Sequence, residues 1–121
     1  MAEPIRIFIV DDEAPARARL RSLLEDCAET LPNRVVGEAA SGAAALMALA
    51  SVATDVVLLD IRMPGMDGME VARRLASQPG APQVIFVTAY DAHAVTAFEL
   101  NARDYLLKPV RVDRLVGALR R

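Results

Sequence analysis

VVLLDIRMPGMDG, Val56 to Gly68, is the stretch from which the fold follows. Four apolar residues, Val56 to Leu59, run without polar interruption into Asp60, and Pro64, Gly65 and Gly68 come soon after. A run that is apolar on both faces suits a central parallel strand covered by helices on each side. The proline and glycines beyond it mark a turn. Asp60 therefore stands at the carboxyl end of a buried strand, the edge where ligands collect in open α/β sheets. Taken alone, Asp60 is equally readable as a cap of that turn or of the next helix.

Working outward, the same pattern recurs. Ile5 to Val10, IRIFIV, is a short β-rich run that ends on Asp11-Asp12-Glu13. Pro15 fits the first turn of a helix whose Ala16, Leu20, Leu23, Leu24, Cys27 and Leu31 recur at three- and four-residue steps, with Arg17, Arg19, Arg21, Glu25 and Asp26 between them. Pro32-Asn33 breaks it. Arg34 to Ala39 reads as a second strand, edge-like because Gly37 and Glu38 dilute it. Ser41 is the expected N-cap of an Ala-rich helix through about Val52, with Leu46, Leu49 and Ala53 as its apolar side. Asp55 to Asp60 is the third strand, and Asp67 or Gly68 opens a helix with Val71, Ala72 and Leu75 inward, closed by Gln78-Pro79-Gly80-Ala81-Pro82.

Gln83 to Ala89 is a fourth buried strand with Thr88 at its end. A helix from about Ala92 to Asn101 carries Ala94, Ala97 and Phe98 on one side, and His93 lies near its start. The fifth strand, Asp104 to Leu107, ends on Lys108-Pro109. From Val110 onward Val112, Leu115, Val116 and Leu119 keep helical phase to the last residue.

Composition narrows the class. A chain of 121 residues reads as one domain, 1–121, able to fold without disulfide or structural metal. Hydrophobic residues make up 54% but aromatics only 4%, so the core is built from short aliphatic side chains that suit helix-on-sheet packing. Lys and Arg number 14 against 16 acids, a net charge of -2 with the cations dispersed, which argues against nucleic-acid binding by this segment. Cys27 is the single cysteine and is expected to pack as a small hydrophobe. The apolar run near the N-terminus is too short for a signal peptide or a membrane span, and a cytoplasmic location is expected.

Alternating strands and helices imply a doubly wound parallel sheet with right-handed crossovers, and five strands fit the flavodoxin-like order 2-1-3-4-5 with five helices. In that order Asp11 and Asp12 neighbour Asp60 at the switch point, Thr88 ends the adjacent strand and Lys108 the one beyond. Three carboxylates this close repel by at least a few kcal/mol on order-of-magnitude Coulomb grounds, so a cation is required. All-oxygen ligands select a hard ion, and an incomplete protein cage of two carboxylates and a carbonyl is how Mg²⁺ is usually held. A His/Cys zinc site is excluded, since His93 and Cys27 fall in different elements. A metal, an ammonium and a hydroxyl around one carboxylate fit a phosphoryl group attacked by Asp60, with Mg²⁺ on Asp12 and Asp60, Lys108 on a second oxygen and Thr88 on a third.

Asp11-Asp12, Asp60 in LLDIRMPGMDG, Thr88 in VTAY and Lys108-Pro109 resemble the receiver domain of two-component response regulators over essentially the whole chain. The resemblance implies phosphorylation of Asp60 by a histidine kinase or a small phosphodonor. It implies Mg²⁺ held by Asp12, Asp60 and the backbone carbonyl of Arg62 with Asp11 in support, and a cis Lys108-Pro109 bond. It implies a switch in which Thr88 is drawn toward phosphate and the Tyr105 ring fills the space left, changing the face of helix 4, strand 5 and helix 5 for a partner or a homodimer. Ala89 to Val110 resembles receivers that precede a LytTR-type DNA-binding domain, so transcription regulation and any DNA contact are expected to belong to an effector domain outside these 121 residues. Arg62 and Tyr90 occupy the two positions that tune acyl-phosphate lifetime in that family; neither is an acid or amide that orients water, so slow self-dephosphorylation is expected.

Such a module catalyses only its own phosphorylation and dephosphorylation. Two alternatives carry the same residues: a Mg²⁺-dependent phosphatase with Asp60 as nucleophile, and a pseudo-receiver that acts as a scaffold. A phosphatase of the haloacid dehalogenase type places a second acid where Arg62 stands, and a scaffold has no use for every chemical position being filled.

Overall fold

The computed structural model describes residues 3–90 and 94–121. His93 and the expected start of the fourth helix at Ala92 lie outside the described residues, as does the Phe98 side chain. The elements run β1 (Ile5–Val10), α1 (Ala14–Asp26), β2 (Asn33–Ala39), α2 (Gly42–Leu49), β3 (Val56–Leu59), α3 (Gly68–Ala76), β4 (Gln83–Thr88), α4 (Ala94–Glu99), β5 (Asp104–Leu107) and α5 (Val112–Arg120). The strands form one parallel sheet in the order β2-β1-β3-β4-β5. That is the doubly wound, flavodoxin-like α/β architecture expected.

The period of two along each strand sorts the core into two layers. Phe8, Val10, Val57, Leu59 and Phe86 face α2, α3 and α4, where Ala45, Met69, Val71, Leu75 and Ala97 meet them. Ile7, Ile9, Val56, Leu58, Ile85, Val87 and Leu106 face the other way onto Leu20, Leu23 and Leu24 of α1 and Leu115, Ala118 and Leu119 of α5. All four residues of β3 are buried, as a strand flanked on both edges and covered on both faces must be. Cys27 is buried beside α1, a free thiol packed as a hydrophobe. No helix among the described residues is long and apolar enough to cross a membrane.

Helix ends depart from the sequence pattern. Helix α1 stops at Asp26, and Leu31 packs half-buried against the α1/α5 layer from the connection, where Asn33 donates to the carbonyls of Leu24 and Leu31 at 3.0 Å each. Ser41 caps α2 as expected, accepting from the Ala44 N–H at 3.1 Å, but α2 ends at Leu49, which leaves Ala53 exposed in the following turn. Val112 opens α5 on the solvent side and is 39% exposed. At Leu31 and Ala53 apolar phase continues past the point where the backbone leaves the helix, and phase alone cannot mark that point. The Lys108-Pro109 peptide is cis.

Candidate functional site

The carboxyl ends of β1, β3 and β5 bring charged side chains together. β1 and β3 pair through Val10 and Leu59, so the residues that follow them, Asp11 and Asp60, are neighbours. Asp11 is 1% and Asp60 6% exposed, while Asp12 is the most open of the three acids. Each of Asp11, Asp12 and Asp60 offers a carboxylate oxygen, and these oxygens all lie within 4.8 Å of one another.

Lys108, delivered by β5, reaches into this cluster. Its Nζ donates to Asp11 Oδ2 at 2.7 Å and to Asp60 Oδ2 at 3.2 Å. The other oxygen of each acid is held by backbone: Asp11 Oδ1 accepts from the Glu13 N–H at 2.9 Å and Asp60 Oδ1 from the Ile61 N–H at 2.7 Å. The last bond comes from the residue next in sequence, and the cap of the following helix α3 is Asp67, not Asp60. Burial pushes the Asp60 carboxyl above the ordinary carboxylate range and the charge of Asp11 adds to that, with Lys108 opposing both. Burial alone would lower Lys108, but its bonds to Asp11 and Asp60 and their charges outweigh it and hold the ammonium above its ordinary value. One ammonium for three carboxylates leaves the pocket net negative.

The donor set fits a hard divalent cation. An octahedral Mg²⁺ with bonds of about 2.1 Å places its ligand oxygens roughly 3 to 4 Å apart, inside the 4.8 Å that spans the oxygens of the three acids. Nitrogen and sulfur ligands are absent from this cluster.

Glycine makes the arrangement compact. The loop from Asp60 returns so closely that the Gly68 N–H donates to the Ile61 carbonyl at 2.8 Å, and a Cβ on Gly68 would lie 2.1 Å from the Asp60 carbonyl oxygen. Asp67 then caps α3, its side chain accepting from the Glu70 N–H at 3.0 Å.

The remaining candidates meet one residue further out. Thr88 is fully buried, and its Oγ1 accepts from the Tyr90 N–H at 3.4 Å. Tyr105 stands half-buried with its ring 6.1 Å from that of Phe86, and its hydroxyl donates to the Tyr90 carbonyl. The Arg62 guanidinium stacks over the Tyr90 ring at 4.2 Å. Tyr90 thus links the Thr88, Tyr105 and Arg62 side chains. The Thr88 carbonyl accepts from the Lys108 backbone N–H at 2.8 Å, and among the described residues no hydrogen bond joins the Thr88 hydroxyl or the Arg62 carbonyl to the three carboxylates.

Two features carried no signal in the sequence. The stacking of Arg62 on Tyr90 joins residues on different loops. Arg17, one of several arginines on the polar side of α1, donates from Nη1 to the Asp11 carbonyl at 2.7 Å and from Nε to Glu38 at 2.9 Å.

Residues 7–120 match the family described as the response regulator receiver domain. The chain belongs to this family. Among curated relatives, an uncharacterized response regulatory protein of Vibrio cholerae is 49% identical over 117 residues, covering 97% of this chain and 44% of that protein. The positive alginate biosynthesis regulatory protein of Pseudomonas aeruginosa is 46% identical over 118 residues, 97% of this chain and 46% of that one. The sensory transduction protein LytT of Bacillus cereus is 38% identical, again over 97% of this chain and 46% of its own length. The receiver chain therefore spans somewhat under half the length of these relatives. Among solved structures, the response regulatory domain of mrkE from Klebsiella pneumoniae superposes with a TM-score of 0.87 at 34% identity, covering 96% of this chain and 93% of that one.

Proposed function

We propose that this receiver domain, residues 1–121, accepts a phosphoryl group on Asp60 and passes the change to an output. The observation that carries the proposal is Lys108 spanning Asp11 and Asp60 in a net-negative pocket lined only with oxygen ligands. Asp60 Oδ attacks phosphorus in line with the bond to the donor; for a phosphohistidine of a sensor kinase, the P–N bond breaks as the O–P bond forms, and the freed imidazole nitrogen takes up a proton. Asp11, Asp12, Asp60 and the Arg62 carbonyl would hold Mg²⁺, which when bound neutralises charge on the transferring phosphoryl oxygens. Lys108 pairs with a phosphoryl oxygen through the ammonium it now offers to Asp60, and the Thr88 hydroxyl donates to another. Asp11 keeps its bond to the Glu13 N–H throughout.

Engaging Thr88 acts on Tyr90 and hence on the Tyr105 hydroxyl bonded to the Tyr90 carbonyl. A two-state shift of Tyr105 would then alter the α4, β5 and α5 face, where exposed Leu107 on the edge strand offers an apolar contact for a second copy. In a longer protein the output would be transcription regulation by a LytTR-type DNA-binding domain, in the cytoplasm, under a sensor histidine kinase. Arg62 and Tyr90, stacked on each other, offer no acid or amide to activate water at these two positions, so the acyl phosphate should hydrolyse slowly. A half-life of seconds would contradict that, and minutes or longer would support it. Arg62 also stands where a turnover phosphatase needs a general acid, which disfavours that alternative.

Reduction of the phosphorylated protein with borohydride tests the assignment of the acceptor. An acyl phosphate on Asp60 is converted to homoserine at residue 60, read by peptide mass, whereas homoserine elsewhere or none at all overturns it.

A further inference from the structure

Asp11 and Asp12 are adjacent in sequence but are held very differently. Both carboxylate oxygens of Asp11 are engaged, by the Glu13 N–H and by Lys108. Among the described residues, no hydrogen bond holds the Asp12 carboxylate itself. What orients Asp12 is the peptide that joins it to Asp11, because the Asp11 carbonyl and the Asp12 N–H lie in one plane.

That peptide has an unusual anchor. β1 ends at Val10, whose register partner is Ala39, and the Asp11 N–H still donates to the Ala39 carbonyl at 3.1 Å. The Asp11 carbonyl lies beyond the sheet ladder, and Arg17 Nη1 donates to it at 2.7 Å from α1. The Arg17 side chain is 20% exposed, and its Nε is tied at 2.9 Å to Glu38, which pairs with Ile9 in the sheet and also binds Arg21. Strand β2 therefore fixes Asp11 from both sides, directly through Ala39 and indirectly through Glu38 and Arg17.

We propose that Arg17 is a positioning residue for the divalent-cation site: by holding the Asp11 carbonyl it sets the peptide plane that aims the Asp12 carboxylate at Asp11 and Asp60. This rests on the reading of the acid cluster as a Mg²⁺ site. Mg²⁺ demands near-ideal octahedral geometry, so a small error in the aim of one carboxylate is felt in affinity. Outer partners that orient metal ligands are typically worth a factor of 10 to 100.

The sign of the effect separates positioning from charge. Arg17 is a cation close to a cation site, so through-space repulsion alone would make Mg²⁺ bind more tightly once Arg17 is lost. Positioning requires the reverse. Arg17→Lys keeps the charge but cannot bind Glu38 and the Asp11 carbonyl together through one planar fork.

The test is calorimetric titration of the metal-free protein with Mg²⁺ alone, alongside circular dichroism and thermal melting without metal. Wild type is compared with Arg17→Lys, Glu38→Ala, Asp12→Asn and, as a control, Arg6→Ala, which breaks an ion pair with Asp55 in another part of the sheet. The expected result is a Mg²⁺ dissociation constant roughly tenfold weaker in Arg17→Lys, a smaller weakening in Glu38→Ala, and no change in Arg6→Ala despite its lower melting temperature. Folded Arg17→Lys that binds Mg²⁺ as well as wild type, or better, overturns the inference. If Arg17→Lys does not fold, Arg17→Gln decides, because it removes the cation: loss of charge alone predicts tighter Mg²⁺ binding, loss of positioning predicts weaker binding, and a folded Arg17→Gln that binds as tightly as wild type or tighter overturns the inference. Wild type that binds no Mg²⁺, or Asp12→Asn that binds as wild type does, overturns the underlying metal-site reading and the inference with it.

Discussion

Gly68 shows how tightly a single residue constrains the site. Its missing Cβ would sit 2.1 Å from the Asp60 carbonyl oxygen and 2.8 Å from the Ile61 Cα, so Gly68→Ala must push the backbone apart beside Asp60. A loss of roughly 1–3 kcal/mol of unfolding free energy is expected by chemical denaturation, as for other overpacked sites. Asp60 itself should behave in the opposite way. Its folded carboxyl lies above its unfolded value, chiefly through burial, so its protonated form contributes stability that is fully present below the unfolded carboxylate range. That contribution is lost as pH rises through the folded value. In metal-free buffer at pH 7, Asp60→Asn should therefore be more stable than wild type, by on the order of 1 kcal/mol. The gain should vanish below about pH 3, where wild type is protonated in both states. Equal stabilities at pH 7 in denaturant titrations would contradict the burial argument.

At the scale of elements, the opposite edge of the sheet is held by a different kind of contact. Arg6 in β1 donates to Asp55, just before β3, from its backbone N–H at 2.8 Å, its Nε at 3.1 Å and its Nη2 at 2.9 Å. These bonds hold the Asp55 carboxyl below its ordinary value of 3.8. The stabilisation is thus present above that value and lost as pH falls through the lower folded one. Both side chains are about two-fifths exposed, at 41% and 42%, so solvent screening keeps the effect modest. Asp55→Asn should have a lower denaturation midpoint than wild type at pH 7, and the gap should narrow at pH 3. The strands themselves were legible because β3 needs apolar residues on both faces and its neighbours nearly so. Helix ends were less so: Leu31 and Ala53 continue apolar phase into segments where the backbone is no longer helical, and Val112 keeps that phase inside α5 yet faces solvent, whereas the caps at Ser41 and Asp67 announced their boundaries chemically.

For the whole molecule, the convergence of Asp11, Asp12, Asp60 and Lys108 could be read in advance, since a parallel sheet in this order sends the ends of its strands to one edge and the sequence ends those strands on charged residues. What could not be read were contacts between segments distant in the chain that no periodicity marks. Arg17 looked like any solvated arginine of an amphipathic helix until its distance to the Asp11 carbonyl was known. Tyr90 was legible only as a position bearing on acyl-phosphate lifetime, and nothing in the sequence placed it between Thr88, Tyr105 and Arg62. The central claim, that this edge accepts a phosphoryl group, is tested most directly by intact mass after incubation with phosphoramidate, with and without Mg²⁺, on the chain and on Asp60→Asn. The expected result is one added phosphoryl mass that requires both Mg²⁺ and Asp60. A folded wild type that gains no adduct under any of these conditions, or an adduct that persists in Asp60→Asn, would contradict it.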